Sequence, residues 1–254
     1  DDGARDDDVL YEEGDPRWFE KLDLEVQSKP LKDYGSPIAS GPLLKPSEDG
    51  PTKHLARRSP SSLEGGDYVD LALRLGFDTG SSLRRGSIVH AWMEHVQWIE
   101  DGLPDDQALE AIADLLAPDM QREDLSGLVD DFRKWCRADE IRLALSRDAY
   151  TSAAHNDLIV ENEMPFVRRT SGEIQQGFID RLVLVEREGE VISAEVLDFK
   201  TDAIEKGDEA GLKERTEYYQ PQIDAYRDAV CDQYGLSSSD VSARLVFLVP
   251  GVVV

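Results

Sequence analysis

The chain has 254 residues, of which 53 are acidic and 28 are basic, so its formal net charge at neutral pH is −25. Its composition, 40% hydrophobic and 32% charged, is typical of a soluble globular protein with enough chain for one or two domains. No apolar run approaches the roughly 20 residues of a membrane span, and the acidic start is unlike a signal peptide, so the sequence argues against a membrane protein and favours the cytoplasm.

The N-terminal quarter is predicted to be a linker or an extended arm. Residues 1–65 lack apolar periodicity, are acidic at their start, and become rich in proline, glycine and serine towards their end. Because such a segment cannot bury enough apolar surface to fold alone, we expect residues 1–60 to be largely extended. Residues 66–254 are then the folded domain, with a helical part at 83–147 and an α/β core at 150–254.

Helical spacing of apolar residues dominates the first half of that domain. It predicts a helix from residue 83 to about Gly102, where glycine is a stop signal, and further helices at 106–116 and 126–146. After Tyr150 the apolar period changes to two, which is the period of a strand.

The second half is predicted to be a sheet interrupted by one helix. Strands are expected at 158–167, 174–186 and 190–201, and the last two are joined by a tight turn with the sequence REGE. Helical spacing returns at 213–234, and a fourth strand follows at 243–249. This order predicts an α/β fold with a central mixed sheet of four or five strands flanked by helices.

Two carboxylates are expected to meet across the hairpin. The turn places the strand that holds Asp180 beside the strand that holds Asp198, and the period of two puts Asp198 and Lys200 on one face. Paired carboxylates suit a hard cation such as Mg²⁺, and a neighbouring ammonium can orient water or offset charge on a phosphate. A structural ion pair at a strand end is the alternative interpretation of Asp198 and Lys200.

Four short motifs lie in order on these elements: GSIVH at 86–90, GFID at 177–180, DFKT at 198–201 and YQPQIDAY at 219–226. Together they resemble the nuclease module of the RecB and AddA helicase-nucleases, a branch of the PD-(D/E)XK nucleases. The resemblance covers residues 59–254 and implies a restriction-endonuclease-like fold.

The resemblance also implies roles for single residues. His90, Asp180 and Asp198 would be side-chain ligands of Mg²⁺, and the backbone carbonyl of Phe199 would be a further ligand. Lys200 would be the catalytic lysine.

Two helical residues would support that lysine and the DNA backbone. Gln222 and Tyr226 lie four residues apart, so they share one face of the predicted helix with Tyr219. A stripe of tyrosines in the core is the alternative interpretation. Glu163 resembles a glutamate often found on the first strand of these modules, and a solvated strand position is the other interpretation.

Other features limit the cofactors and partners. The chain lacks a Gly-Lys dipeptide and therefore a Walker A motif, so no ATP site is expected here, and the two isolated cysteines, Cys136 and Cys231, cannot ligate an iron–sulfur cluster. The resemblance implies DNA as substrate, a helicase motor in the same polypeptide and a second AddB-type subunit.

The implied function is therefore a Mg²⁺-dependent DNA exonuclease of an AddA-type helicase-nuclease, acting in double-strand break repair and recombination. Two alternatives remain at this point, a catalytically inactive docking module of the same fold and a self-standing exonuclease. The net charge argues against strong DNA binding by the domain itself. The cations near the motifs, expected to line a local positive channel, are Arg84, Arg85, Arg168, Arg169, Arg181 and Lys200.

Overall fold

The computed structural model describes residues 56–64, 79–153, 157–170 and 172–254. The predicted extended arm at residues 1–55 lies outside these ranges, as does the stretch 65–78. None of the helices in the described part of the chain is long and apolar enough to cross a membrane.

Five α-helices form in the described ranges. The predicted helix at 126–146 is two helices, because Ala138 adopts an extended backbone (φ −60°, ψ 134°) and begins a new helix. The last and longest helix starts behind Asp208, whose carboxylate accepts the Gly211 N–H, and ends at Gly235 in the left-handed conformation. The helices are α1 (Thr79–Glu94), α2 (Asp106–Leu116), α3 (Arg122–Cys136), α4 (Asp139–Ala144) and α5 (Glu209–Tyr234).

Six strands form one mixed sheet, which confirms the predicted fold class. The strands are β1 (Ala56–Arg58), β2 (Asp157–Arg169), β3 (Glu173–Arg187), β4 (Glu190–Lys200), β5 (Val241–Phe247) and β6 (Val252–Val253). The short strands β1 and β6 are additional to the four that the sequence located. The order is β1-β3-β4-β5-β6, and β2 pairs with β3 on its other side. The sheet is antiparallel along β2-β3-β4 and parallel between β4 and β5.

Strand β1 corrects part of the predicted arm. It pairs in parallel with the start of β3, and the 3₁₀ turn Pro60–Leu63 that follows it buries Pro60. Residues 56–64 therefore belong to the folded unit. Three residues are too few to show a period, which is why the sequence pattern placed them in the arm.

Two hydrophobic clusters lie on the two faces of the sheet. In one cluster the helices α1, α2, α3 and α4 pack against Leu197 and Phe199 of β4. In the other, α5 packs against Val196 of β4 and Leu182 of β3. The alternation of side chains along β4 explains this division, because Leu197 and Val196 point to opposite faces.

The hairpin between β3 and β4 positions the candidate site. Glu188 (φ 56°) and Gly189 (φ 83°) form the turn, and the ladder runs from Arg187 opposite Glu190 to Arg181 opposite Leu197. The ladder stops there, and the strand ends separate. The sheet thus opens beside Asp180 and Asp198.

Candidate metal centre

Asp180 and His90 meet where the β3–β4 ladder stops. The Asp180 carboxylate accepts the Phe199 N–H at 2.8 Å, so a side chain takes the place of the next ladder bond. His90 comes from α1, which is anchored by the fully buried Ile88 and Val89, and its Nδ1 lies 3.4 Å from Asp180 Oδ2. The sequence predicted both residues as ligands, and the structure places them in contact.

Glu163 completes a group of three. It lies opposite Asp180 in the β2–β3 register, but its backbone is left-handed (φ 49°) and the pair forms no bridge. Asn162 bonds to the carbonyl oxygen of Val96 after α1, whereas Met164 packs on the α5 side. In a regular strand Asn162 and Met164 would point to the same face of the sheet. They point to opposite faces here, because the left-handed backbone at Glu163 reverses the alternation of side chains, and this places the Glu163 side chain at the site.

These three side chains offer a donor set for a divalent cation. One ligand atom from each of His90, Glu163 and Asp180 lies within 4.8 Å of the other two, and all three residues are partly buried. Carboxylate oxygens suit Mg²⁺, Mn²⁺ and Ca²⁺, and an imidazole nitrogen extends the choice to later transition metals. The donor set therefore fits a small divalent cation and is compatible with both Mg²⁺ and Mn²⁺.

Asp198 lies behind this group and does not belong to it. It is 1% exposed, and its Oδ2 forms an ion pair with the Lys200 ammonium at 2.8 Å. Asp198, His90 and Asp180 line one cavity of about 700 Å³. Carboxylate oxygens have lone pairs for more than one partner, so the role of Asp198 as a ligand stays a prediction that this placement allows.

Phe199 contacts the site through its backbone N–H. Its N–H donates to Asp180, while its ring is buried in the helical cluster. The role of its carbonyl oxygen as a ligand stays a prediction.

Lys200 is held from three sides. Its Nζ donates to Gln222 Oε1 at 2.8 Å and lies 4.2 Å from the centre of the Tyr219 ring, in addition to the ion pair with Asp198. Gln222, 3% exposed, in turn donates to the Tyr226 hydroxyl at 3.1 Å. The predicted Gln and Tyr stripe therefore contacts the lysine through a hydrogen-bonded chain.

The charges at the site act on each other. Burial lowers the pKa of His90, but its hydrogen bond to Asp180 and the nearby carboxylates more than offset this, so the pKa is raised. Burial raises the pKa of Glu163, and Asp180 adds to the rise. The site thus concentrates negative charge, which a divalent cation would neutralise.

Burial and neighbouring charges also oppose each other in the Asp198–Lys200 ion pair. Burial raises the pKa of Asp198 despite the opposing charge of Lys200. Burial would lower the pKa of Lys200, but Asp198 and Asp180 outweigh it and the pKa is raised, so the lysine stays protonated.

The structure excludes Arg181 from the predicted positive channel and pairs three of its other members with carboxylates. Arg181 is fully buried and donates to the carbonyl oxygens of Val96 and Gln97, so it holds the loop after α1 and cannot reach DNA. Three other arginines pair with carboxylates: Arg84 with Asp119, Arg85 with Asp131, and Arg168 with Asp228 and Asp232.

Sequence reasoning missed one wall of the cavity. The segment after β1 brings Ser61 and Glu64 to the same cavity as Lys200. Gly177 of the GFID motif permits this approach, since a Cβ there would come within 3.0 Å of Pro60 Cδ. Glu64 lies in the serine-rich stretch and carries no local signal that could have identified it.

Comparison with known families gives a match over most of the chain. The family model of the PD-(D/E)XK nuclease superfamily matches residues 68–252. A search of curated proteins found no match.

Proposed function

We propose that this chain, which belongs to the PD-(D/E)XK nuclease superfamily, is a Mg²⁺-dependent DNA nuclease. Members of the superfamily are typically metal-dependent nucleases. The observation that carries the proposal is the meeting of the His90, Glu163 and Asp180 ligand atoms at the open end of the β3–β4 ladder, beside the Asp198–Lys200 pair.

The residues of the site have two proposed roles, metal binding and stabilisation of charge on the phosphate. A bound divalent cation would supply Lewis acidity for the phosphate and a lowered pKa for water. His90, Glu163 and Asp180 would hold it, and Asp198, which lines the same cavity as His90 and Asp180, would be a further ligand. Lys200 stays protonated and is fixed at Nζ, so it can offset the charge that develops on a phosphate oxygen without reorganising.

We further propose the AddA-type setting, in which this domain is the nuclease of an ATP-dependent helicase-nuclease that processes double-strand breaks as an exonuclease, together with an AddB-type subunit. The four motifs support it. The net charge of −25 and the paired arginines support it too, because a nuclease with few free cations needs another part of the assembly to hold the DNA.

Two single substitutions test the activity. In the assembled enzyme on linear DNA with Mg²⁺, Asp198→Ala and Lys200→Ala should each lower the cleavage rate by about a hundredfold to a thousandfold, the loss expected for one preorganised electrostatic group. Asp130→Ala is the matched control, since Asp130 is exposed on α3. Chelation by EDTA should stop cleavage in every variant that cuts.

Two outcomes would reject the proposal. Wild-type cleavage rates in the Asp198→Ala enzyme would place the nuclease elsewhere and leave this domain as a docking module. Full activity of the domain alone, without a motor or ATP, would favour the self-standing exonuclease over the AddA-type setting.

A further inference from the structure

Exposed apolar side chains gather around the candidate metal centre. Eight large apolar side chains are exposed among the described residues, and four of them line the two cavities that meet at the centre. Leu83 (67% exposed) and Leu116 (48%) line one cavity, and Val167 (75%) lines the other. Phe178, 58% exposed, lines both.

Phe178 stands next to the ligand group. Among the residues that the structure describes, only His90 and Asp180 also line both cavities, so the ring lies at the junction where the ligand atoms are. Phe178 precedes Asp180 by two residues on β3 and points away from the buried Ile179. A ligand whose phosphate reaches the centre would therefore meet this ring.

The charges of the two cavities limit how a polyanion can bind there. Lys200 is the only lysine or arginine among the described residues that line them, whereas five carboxylates do so: Glu64, Glu94, Glu163, Asp180 and Asp198. Because the described residues of the two cavities offer a phosphate few cations, the exposed apolar side chains provide a contact with a nucleotide that does not depend on phosphate charge.

We infer that Phe178 stacks on the base of an unpaired nucleotide next to the phosphate at the metal centre. This rests on the proposed nuclease function and names the part of the substrate that the site selects. A duplex offers sugars and phosphates to such a surface because its bases are stacked inside, whereas an unpaired base has a free face for an aromatic ring. Leu83 and Val167, which each line one of the two cavities, contact the flanking nucleotides.

Fluorescence of 2-aminopurine tests the stack separately from hydrolysis. The base is placed at successive positions of a single-stranded oligonucleotide and titrated with the protein in Ca²⁺, with uncut DNA confirmed on a gel. We expect quenching at one or two adjacent positions with the wild-type protein, none with Phe178→Ala, and retention with Phe178→Trp. Affinity for the oligonucleotide should fall about ten- to a hundredfold in Phe178→Ala, the range of one base–aromatic stack.

Cleavage gives the second readout. In Mg²⁺, an abasic site at the quenched position should slow cleavage by the wild-type protein about as much as Phe178→Ala does, and combining both changes should add little. Leu143→Ala is the matched control, because Leu143 is 51% exposed and lines neither cavity.

The outcomes separate this inference from the proposed function. If the wild-type protein cuts DNA but Phe178→Ala binds, quenches and cuts as the wild type does, the stacking role is wrong and the apolar surface serves another partner. If quenching depends on Phe178 but no divalent cation supports cleavage, the stack stands and the nuclease proposal fails. Equal affinity for duplex and single strands in the wild type would also overturn the inference.

Discussion

Replacing Gln222 with methionine should weaken the fold and slow catalysis by separable amounts. Methionine keeps the length and volume of glutamine, so the change removes polar contacts without opening a cavity. It removes the hydrogen bond from Lys200 Nζ (2.8 Å) and the one to the Tyr226 hydroxyl (3.1 Å). A hydrogen bond to a charged group contributes about 1.5–3 kcal/mol and a neutral one about 1 kcal/mol, so we expect about 3 kcal/mol loss in the free energy of unfolding.

The rate should fall less than it does on removal of the lysine. Lys200 keeps its contacts with Asp198 and the Tyr219 ring, so its Nζ is loosened but stays in place. We expect a roughly tenfold lower single-turnover rate, which corresponds to about 1.4 kcal/mol, with DNA affinity unchanged.

Urea unfolding and single-turnover cleavage at saturating Mg²⁺ measure the two effects. Gln220→Met is the matched control, because Gln220 is exposed two residues earlier on α5 and its amide donates to Asp224 on the same helix. Tyr226→Phe, combined with the Gln222 variant, isolates the outer hydrogen bond. If Gln222→Met cleaves within twofold of the wild-type rate, the chain does not position Lys200 and Gln222 is only a satisfied core residue.

Three further predictions concern the metal and the buried arginine. Mg²⁺ or Mn²⁺ should raise the melting temperature of the wild-type protein but not of Asp180→Asn, as differential scanning calorimetry would show, and an equal rise in both would mean that the cation binds elsewhere. Because the pKa of His90 is raised, its protonation stabilises the metal-free protein below the ordinary histidine pKa, and this contribution is lost as the pH rises through the raised value. Cation affinity from calorimetric titration should increase over the same window. In His90→Gln the affinity should be weaker and should depend less on pH, and the remaining dependence comes from the raised pKa values of Asp198 and Glu163. Arg181→Met should cost about 3 kcal/mol of unfolding free energy in urea, since the protein loses two hydrogen bonds from a buried guanidinium to the Val96 and Gln97 carbonyl oxygens. The exposed Arg169→Met should change it little, and similar values for both would contradict the structural role of Arg181.

The local sequence was sufficient for most of the elements and for part of the site. Apolar periods distinguish the helices from the strands, and the tight REGE turn identifies β3 and β4 as neighbours. The turn sets only the first pairs of their ladder, because the register shifts by one residue at a bulge between Val185 and Glu186. That register brings Asp180 beside Phe199 and Asp198, and the helical spacing around His90 leaves it next to a buried stripe on α1. These features depend on residues close in the chain, so the sequence carries their signal.

The placement of the Glu163 side chain depends on its backbone conformation and not on the local sequence pattern. A glutamate inside a strand pattern is equally consistent with a solvated position, and its side chain reaches the site only because φ is 49° at that residue. Its left-handed backbone is stabilised by the packed strands on either side, which a local pattern does not contain.

The arginine partners and the position of Glu64 depend on contacts between residues far apart in the sequence. The partners of Arg84 and Arg168 lie 35 and 64 residues away, and the carbonyl that Arg181 reaches is 85 residues away, so clustering near the motifs could not show that these cations are already bound. Strand β1 and Glu64 likewise reach the site only by pairing with a strand more than a hundred residues later in the chain. Period and composition report which residues can be buried, whereas the pairing of distant groups is fixed only when the sheet and both helical layers close around them.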